Sequence, residues 1–236
     1  MKNIENLKAL ICTAKYLTKY EPILNTNNLD IYAYEALSKF ELSRSSLSTE
    51  DIFRELHKNN QLFYYLEKRN KRLQVDNFAE NKTLFLNFDA DIFVSDEQKE
   101  YWKNFLKPIK NKVVVEITEN GSDDETSAQT IHEFSQWLNY NSINTALDDY
   151  AQDGTMFSFK LMNESKYVKI DKSFLREIKK NKNFFYYLEG FVKTMRLNGK
   201  KTIIEGVETL ADLQIAKDVN SDYVQGYLFK ELIIEK

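Results

Sequence analysis

The residues of this sequence that could do chemistry are mostly carboxylates, and they stand at the ends of short apolar runs. With two histidines and one cysteine in 236 residues, a three-histidine centre or a multi-cysteine zinc site is excluded. The chain offers instead five carboxylates, one amide and one amine: Glu35, Glu116, Asp148, Asp149, Glu205, Asn87 and Lys169. Like charges about 4 Å apart repel by roughly 4 kcal/mol at an effective dielectric of about 20, and Lys169 alone cannot neutralise the five. If these side chains meet, they need hard divalent cations such as Mg²⁺ or Mn²⁺.

The adjacent aspartates favour a site with two ions. Asp148 could bridge both ions while Asp149 binds only the second. Two metal ions roughly 3.5–4 Å apart activate water and stabilise in-line displacement at phosphorus, so this set favours phosphodiester hydrolysis. The ammonium of Lys169 could hold the attacking water or offset charge on the phosphate. Each element alone also fits a solvated strand end or a helix cap. The interpretation therefore depends on their joint occurrence.

The elements that must position these residues alternate along the chain. Strand-type runs lie at 20–24, 30–37, 83–88, 112–117, 143–148, 166–170, 201–205 and 222–225. Helical patterns lie at 49–70, 96–107, 126–140, 173–179, 182–198 and 209–217. Eight strands mostly alternating with helices predict an α/β fold, a (β/α)8 TIM-type barrel. An open doubly wound sheet often has a glycine-rich phosphate loop, and this sequence contains none. Polar residues end seven of the strands: Glu35, Asn87, Glu116, Asp148 with Asp149, Lys169 with Asp171, Glu205 and Gln225. In a parallel barrel these ends converge on one mouth.

Composition narrows the classes of partner. The chain is 42% hydrophobic and 29% charged with a net charge of −3, which argues against a DNA, RNA or membrane-surface partner. No apolar run is long enough for a membrane span, and early lysines interrupt any signal-peptide core, so a cytoplasmic location is expected. Residues 1–19 predict an amphipathic helix packed on a barrel domain of residues 20–236. His57 and His132 lie in helical patterns, where solvated or capping roles are expected.

Several motifs occur in an order that is typical of one family. They are YEPI (20–23), YEALSKF (34–40), LFLNF (84–88), VVVEITE (113–119), ALDDY (146–150), YVKIDKSFL (167–175), IIEGVETL (203–210) and VQGYLF (224–229). In this succession the chain resembles the EAL domain family of cyclic di-GMP phosphodiesterases from residue 20 to residue 229. The resemblance implies a barrel with one antiparallel strand, cyclic di-GMP lying across its mouth, and hydrolysis to linear pGpG.

The resemblance also implies roles for individual residues. Glu35, Asn87, Glu116 and Asp148 look like the ligands of one metal, and Asp148 with Asp149 would serve the second. Lys169 would contact the catalytic water, and Glu205 looks like the general base or a glutamate beside the metals. The residues that would contact the substrate are Lys39, Glu21 and Gln225. The residues in supporting positions would be Glu119, Asp171 and Glu208. The family further implies a homodimer.

Three departures from the family pattern leave alternatives open. Lys39 stands where the family usually has an arginine, and Glu21 replaces a glutamine, which adds negative charge near an anionic ligand. In the loop 150–156, Ala151 and Asp153 replace glycines beside the second metal and at the family's dimer loop. A two-metal phosphodiesterase is the leading hypothesis. A receptor that binds cyclic di-GMP without efficient turnover and a protein-interaction module are the alternatives.

Overall fold

The computed structural model describes residues 8–9, 11–41, 48–118, 125–152 and 158–236. Its strands are β1 Lys15–Asn25, β2 Ile31–Glu41, β3 Thr83–Phe88, β4 Val113–Thr118, β5 Asn144–Tyr150, β6 Tyr167–Ile170, β7 Lys201–Ile204, β8 Tyr223–Val224 and β9 Ile234–Glu235. Strands β2 to β8 follow one another in parallel, and β1 closes the ring by pairing with both β2 and β8. The predicted α/β barrel is confirmed.

Strand β1 is the antiparallel member of the barrel. It runs opposite to β2, with Glu21 across from Glu35, and opposite to β8, with Leu24 across from Val224. The expectation of one antiparallel barrel strand is therefore confirmed. Strand β9 lies outside the ring and pairs with β1 at Lys19 and Tyr20. With two residues, β9 is too short to carry a periodic sequence signal.

The helices connect the strands around the outside of the barrel. They are α1 Thr49–Leu56, α2 Asn60–Asp76, α3 Asp96–Leu106, α4 Glu125–Tyr140, α5 Phe159–Glu164, α6 Ser173–Lys180, α7 Phe184–Leu197 and α8 Leu210–Asp218. The helix predicted over 49–70 is two helices, because Asn59 caps α2 by accepting a bond from the backbone N–H of Leu62 at 3.0 Å. Helix α5 was not predicted. None of the helices in the described residues is long and apolar enough to cross a membrane.

The N-terminal helix ends earlier than the sequence predicts. Residues 8–9 and 11–13 are helical, and Ile11 is buried in the core, but β1 begins at Lys15. The boundary expected at residue 19 therefore lies inside a strand. Pairing with β2 explains the difference, because it places Tyr16 edge-on to Phe40 with ring centroids 5.2 Å apart. This long-range contact overrides a helical pattern that has only local support.

The barrel interior contains an apolar layer below the mouth, here called the floor layer. Its buried members are Ile23, Ala33, Phe85, Val114, Ala146, Tyr167 and Ile203. Side chains alternate between the two faces of a strand, so residues at every second position point inward. Six of these residues, on β2 to β7, lie two positions before Glu35, Asn87, Glu116, Asp148, Lys169 and Glu205. The strands therefore present those polar side chains to the interior one layer nearer the mouth.

Candidate active site at the barrel mouth

The polar residues at the strand ends meet around one buried lysine. Its Nζ lies 2.7 Å from Glu116 Oε1, 2.9 Å from Asp148 Oδ1, 2.9 Å from Glu205 Oε1 and 3.4 Å from Glu35 Oε2. The Lys169 side chain is 1% exposed. Burial alone would lower its pKa, but the four carboxylates together raise that pKa well above its usual value. Lys169 is therefore a fixed positive charge within an acidic ring. We call the set Glu35, Asn87, Glu116, Asp148, Lys169, Glu205 and Gln225 the mouth layer.

Two amides hold the carboxylate of Glu35. Asn87 Nδ2 donates to Glu35 Oε1 at 2.8 Å, and Gln225 Nε2 donates to Glu35 Oε2 at 2.6 Å. Burial tends to raise the pKa of Glu35, but Lys169 and these amide donors lower it below the usual value. Glu35 is therefore a preformed anion whose side chain is fixed from the ends of β3 and β8.

Glu116 and Asp148 depend on a lysine that they share. Within the described residues, Glu116 Oε2 has no hydrogen-bond donor, and the cation beside Glu116 Oε1 and Asp148 Oδ1 is the same Lys169, at 2.7 Å and 2.9 Å. Burial and repulsion from Glu35 raise the pKa of Glu116 well above its usual value, and burial raises that of Asp148. Buried acceptors without donors are costly unless another cation supplies the missing charge. The buried carboxylate oxygens of Glu116 and Asp148 are suitable ligands for a hard divalent ion.

The acidic side chains fall into two groups that share Asp148. One ligand atom from each of Glu35, Glu116 and Asp148 lies within 4.8 Å of the others, and the same holds for Asp148, Asp149 and Glu205. Asp149 has φ +54°, where the β5–β6 register shifts. Burial and the charge of Asp148 raise the pKa of Asp149 to about 6. The mouth can therefore offer oxygen ligands to two cations.

The expected substrate residues occupy different places. Glu21 accepts a bond from Gln225 Nε2 at 3.3 Å and pairs with Lys19 at 2.5 Å, so its charge lies beside the mouth layer. Lys39 lies further along β2 and pairs with Glu235 of β9 at 3.5 Å, with its side chain 46% exposed. Lys39 is therefore at the rim, and its ammonium contacts β9.

The predicted supporting residues are more scattered. Asp171 Oδ1 accepts from the backbone N–H of Ser173 at 2.8 Å and so holds the start of α6. The Glu208 side chain is exposed, and its backbone N–H donates to Asp212 at 3.3 Å. Glu119 and residues 153–156 of the divergent loop lie outside the described residues. Ala151, which is described, has φ +68°, a left-handed conformation that favours glycine.

Sequence reasoning did not anticipate the partners of His57. Its Nδ1 lies 3.0 Å from Asp91 Oδ2 and its Nε2 lies 3.5 Å from Asp89 Oδ2. His57 follows α1 directly, and its ring meets that of Phe63 edge-on. Asp89 and Asp91 follow β3 without any periodic pattern linking them to a histidine more than thirty residues earlier. The contact exists only because the fold brings the residue after α1 next to the segment after β3.

Known proteins are similar to this chain in sequence and in fold. Cyclic di-GMP phosphodiesterase PdeL of Escherichia coli (strain K12) is 29% identical over 165 residues, which are 67% of this chain and 43% of that protein. The structure of the PaMucR phosphodiesterase in complex with c-di-GMP is 20% identical, with a TM-score of 0.77 over 97% of this chain and 96% of that chain. The Bacillus subtilis YkuI protein, solved with substrate c-di-GMP and calcium, is 19% identical, with a TM-score of 0.76 over 95% of this chain and 57% of that chain.

These similarities differ in what they establish. The chain spans less than half the length of PdeL, and the two structures, at 20% and 19% identity, show the fold. The sequence model described as EAL domain matches residues 5–231, which include every residue of the mouth layer. The chain therefore belongs to the EAL domain family.

Proposed function

We propose that the protein hydrolyses cyclic di-GMP to linear pGpG at the barrel mouth with two Mg²⁺ or Mn²⁺ ions. The observation that carries the proposal is the ring of Glu35, Glu116, Asp148 and Glu205 around Lys169, in which four carboxylates share one ammonium and Glu116 Oε2 has no donor among the described residues. PdeL is named a cyclic di-GMP phosphodiesterase, and the PaMucR and YkuI structures contain c-di-GMP. These names support the choice of substrate.

In this proposal each ion has its own set of ligands. Glu35, Asn87, Glu116 and Asp148 would hold one ion, and Asp148 with Asp149 would hold the other. Asn87 already uses its Nδ2 on Glu35, which leaves its carbonyl oxygen as the coordinating atom. Bound divalent ions supply positive charge for the phosphate and lower the pKa of water.

Glu205 and Lys169 would act on the attacking water. Burial raises the pKa of Glu205 well above its usual value, despite Lys169 at 2.9 Å. A carboxylate with a raised pKa is a better proton acceptor, so Glu205 would take the proton from the attacking water. The raised pKa of Lys169 keeps it protonated. Lys169 would therefore orient the water and offset charge on the phosphate, without acting as a base.

A receptor that binds cyclic di-GMP with weak turnover is the second candidate. Ala151 holds a left-handed φ of +68° two residues after Asp149, the proposed ligand of the second ion only. Glu21 adds a carboxylate beside Glu35, bridged through Gln225. These features would weaken the binding of the second ion or of the anionic substrate. The homodimer and the cytoplasmic location stay predictions.

One experiment separates these candidates. Purified protein is incubated with cyclic di-GMP and Mn²⁺, product is followed by chromatography, and binding in Ca²⁺ is measured by calorimetry. We expect linear product, and a loss of about 100-fold or more in turnover for Glu205→Ala as the proton acceptor is removed. Glu35→Ala should abolish turnover as well, while the exposed Glu189→Ala is the control. Binding without turnover would select the receptor, and neither binding nor turnover would contradict both.

Ala151→Gly tests the departure in the loop. Glycine adopts a left-handed φ without the cost that a Cβ imposes, so the variant should gain up to about 1 kcal/mol of stability. If strain at this position weakens the second ion, turnover at limiting Mn²⁺ should rise. Equal Mn²⁺ dependence in the two proteins would show that residue 151 does not control the second ion.

A further inference from the structure

A second concave site lies on the outer wall of the barrel, between α2 and α3. Its cavity of about 410 Å³ is lined by Tyr65, Lys68, Arg69, Arg72 and Leu73 of α2 and by Tyr101 of α3. We call it the α2–α3 groove. Its volume is within the range of roughly 300–1,000 Å³ that holds small ligands in proteins. Its lining combines three cations with two tyrosine rings, in a chain whose net charge is −3.

The three cations of the groove have no acidic partner among the residues that the structure describes. No carboxylate of those residues lies within 4.0 Å of the charged groups of Lys68, Arg69 or Arg72, whereas lysines such as Lys58 and Lys180 pair with a glutamate three residues away. Net positive charge in this groove is therefore left for a ligand to neutralise. An anion of matching geometry would gain charge-assisted hydrogen bonds from the arginines and lysine.

Aromatic rings hold these cations in place. Arg69 Cζ lies 3.8 Å from the ring centroid of Tyr16, and Lys68 Nζ lies 5.1 Å from that of Tyr101. Arg72 Nε donates to Tyr101 Oη at 3.1 Å. Side chains already ordered by such contacts lose less entropy when a ligand binds. The groove is therefore partly preorganised for an anion.

An exposed ring supplies the remaining recognition element. Tyr65 is 54% exposed and lines the groove beside the cations. Flat rings of a ligand can stack on a tyrosine face while its anionic groups reach the arginines. We propose that the α2–α3 groove binds a nucleotide, with its phosphates on Lys68, Arg69 and Arg72 and its base on Tyr65. The groove lies on the barrel's outer wall, separate from the mouth layer.

The test uses the intact chain in EDTA, so that it does not depend on turnover at the mouth. The probes are GTP, cyclic di-GMP and inorganic tripolyphosphate, measured by calorimetry and by amide hydrogen exchange. GTP should slow exchange in residues 60–76 and 96–106, which are α2 and α3. GTP should also bind more tightly than tripolyphosphate, because only GTP carries a base. Whichever of GTP and cyclic di-GMP binds the groove more tightly identifies the source of the nucleotide.

Paired variants give the decisive comparison. Lys68→Gln with Arg72→Gln should weaken GTP binding by about tenfold or more, equivalent to at least about 1.4 kcal/mol. The control, Lys193→Gln with Arg196→Gln, removes the same charge from exposed positions of α7 and should change GTP binding less than about twofold. Circular dichroism and thermal melting verify that both proteins fold. The proposal would be overturned if the tighter-binding nucleotide bound the groove variant unchanged, bound no more tightly than tripolyphosphate, or protected only the mouth strands.

Discussion

The floor layer and the mouth layer lie on the same strands, yet they are opposite in chemistry. Val114 and Glu116, or Tyr167 and Lys169, are two positions apart and point to the same interior, about 6–7 Å apart along the strand. Floor residues contact one another without charge, and Tyr32 closes that end with a hydroxyl contact of 2.5 Å to Tyr167. Mouth residues place four carboxylates around one ammonium.

The floor layer stabilises the folded barrel, whereas the mouth layer lowers its stability. The floor gains free energy from apolar burial in the ordinary way. The mouth makes four carboxylates share one lysine and leaves Glu116 Oε2 without a donor among the described residues, an arrangement that costs stability until a cation binds. Such local cost is typical of functional sites. Four substitutions test this comparison.

The largest effect is expected where the mouth loses its central charge. Lys169→Met leaves four carboxylates, three of them buried, without a cation, so it should lower the free energy of unfolding in EDTA by about 3–5 kcal/mol. Mn²⁺ should restore a large part of that loss, because ions would replace the missing charge. Urea unfolding with and without Mn²⁺ measures both quantities, with the exposed Lys193→Met as the control. The same loss in Mn²⁺ and EDTA would show that no ion binds there.

Asp212 sharpens the comparison, because it is a buried carboxylate with donors. It accepts from the hydroxyl of Thr209 at 2.8 Å and pairs with Lys179 at 2.8 Å. Burial alone would raise its pKa, but these partners hold it below the usual value. Its stabilising contribution is therefore present above the usual aspartate pKa and is lost as the pH falls through the lowered pKa.

Asp212→Asn should accordingly cost about 1.5–3 kcal/mol at pH 7, since hydrogen bonds to a charged group are removed. The difference from the unsubstituted protein should shrink as the pH is lowered towards the acid transition. Urea titrations across the acid range measure it. A cost that is constant with pH would mean that the charge of Asp212 contributes nothing.

Glu116 should behave in the opposite sense. Its pKa is raised, so its favourable contribution is present below the usual glutamate pKa and is lost as the pH rises through the raised value. Glu116→Gln should therefore stabilise the protein in EDTA by about 1–2 kcal/mol at pH 7, with a smaller gain at acid pH. The same variant should bind Mn²⁺ more weakly, as calorimetry can show. Destabilisation in EDTA would contradict the account of the mouth.

The smallest effect is expected in the floor. Ile203→Val removes one buried methyl group and should cost about 0.5–1.5 kcal/mol, because Ile203 is fully buried in the apolar layer. The cost should be the same in EDTA and in Mn²⁺, unlike the losses at the mouth. Thermal melts of both proteins in the two buffers measure this cost. Dependence of this cost on Mn²⁺ would mean that the two layers are energetically coupled.

Sequence reasoning located the barrel and most of the mouth layer because both depend on alternation along strands. Glu116 and Lys169 follow buried runs directly, so their placement was readable from β4 and β6. The start of β1 and the split between α1 and α2 were not predicted, because they depend on pairing with β2 and on the cap at Asn59. Glu208 and Lys39 were placed by resemblance alone, and their contacts are to α8 and β9, while Asp171, which the strand pattern placed at the mouth, contacts the start of α6.

By itself, the sequence determined the fold class, the family and the identity of the acidic residues, since strand alternation and motif order are local properties of the chain. Tertiary structure alone decided that Lys169 contacts four carboxylates and that Glu116 Oε2 has no donor among the described residues, because those contacts join strands distant in sequence. It also brought Arg72 against Tyr101 to form the α2–α3 groove. The physical reason is that pKa shifts and cavities depend on distances in space, which follow only once the strands have closed into a ring.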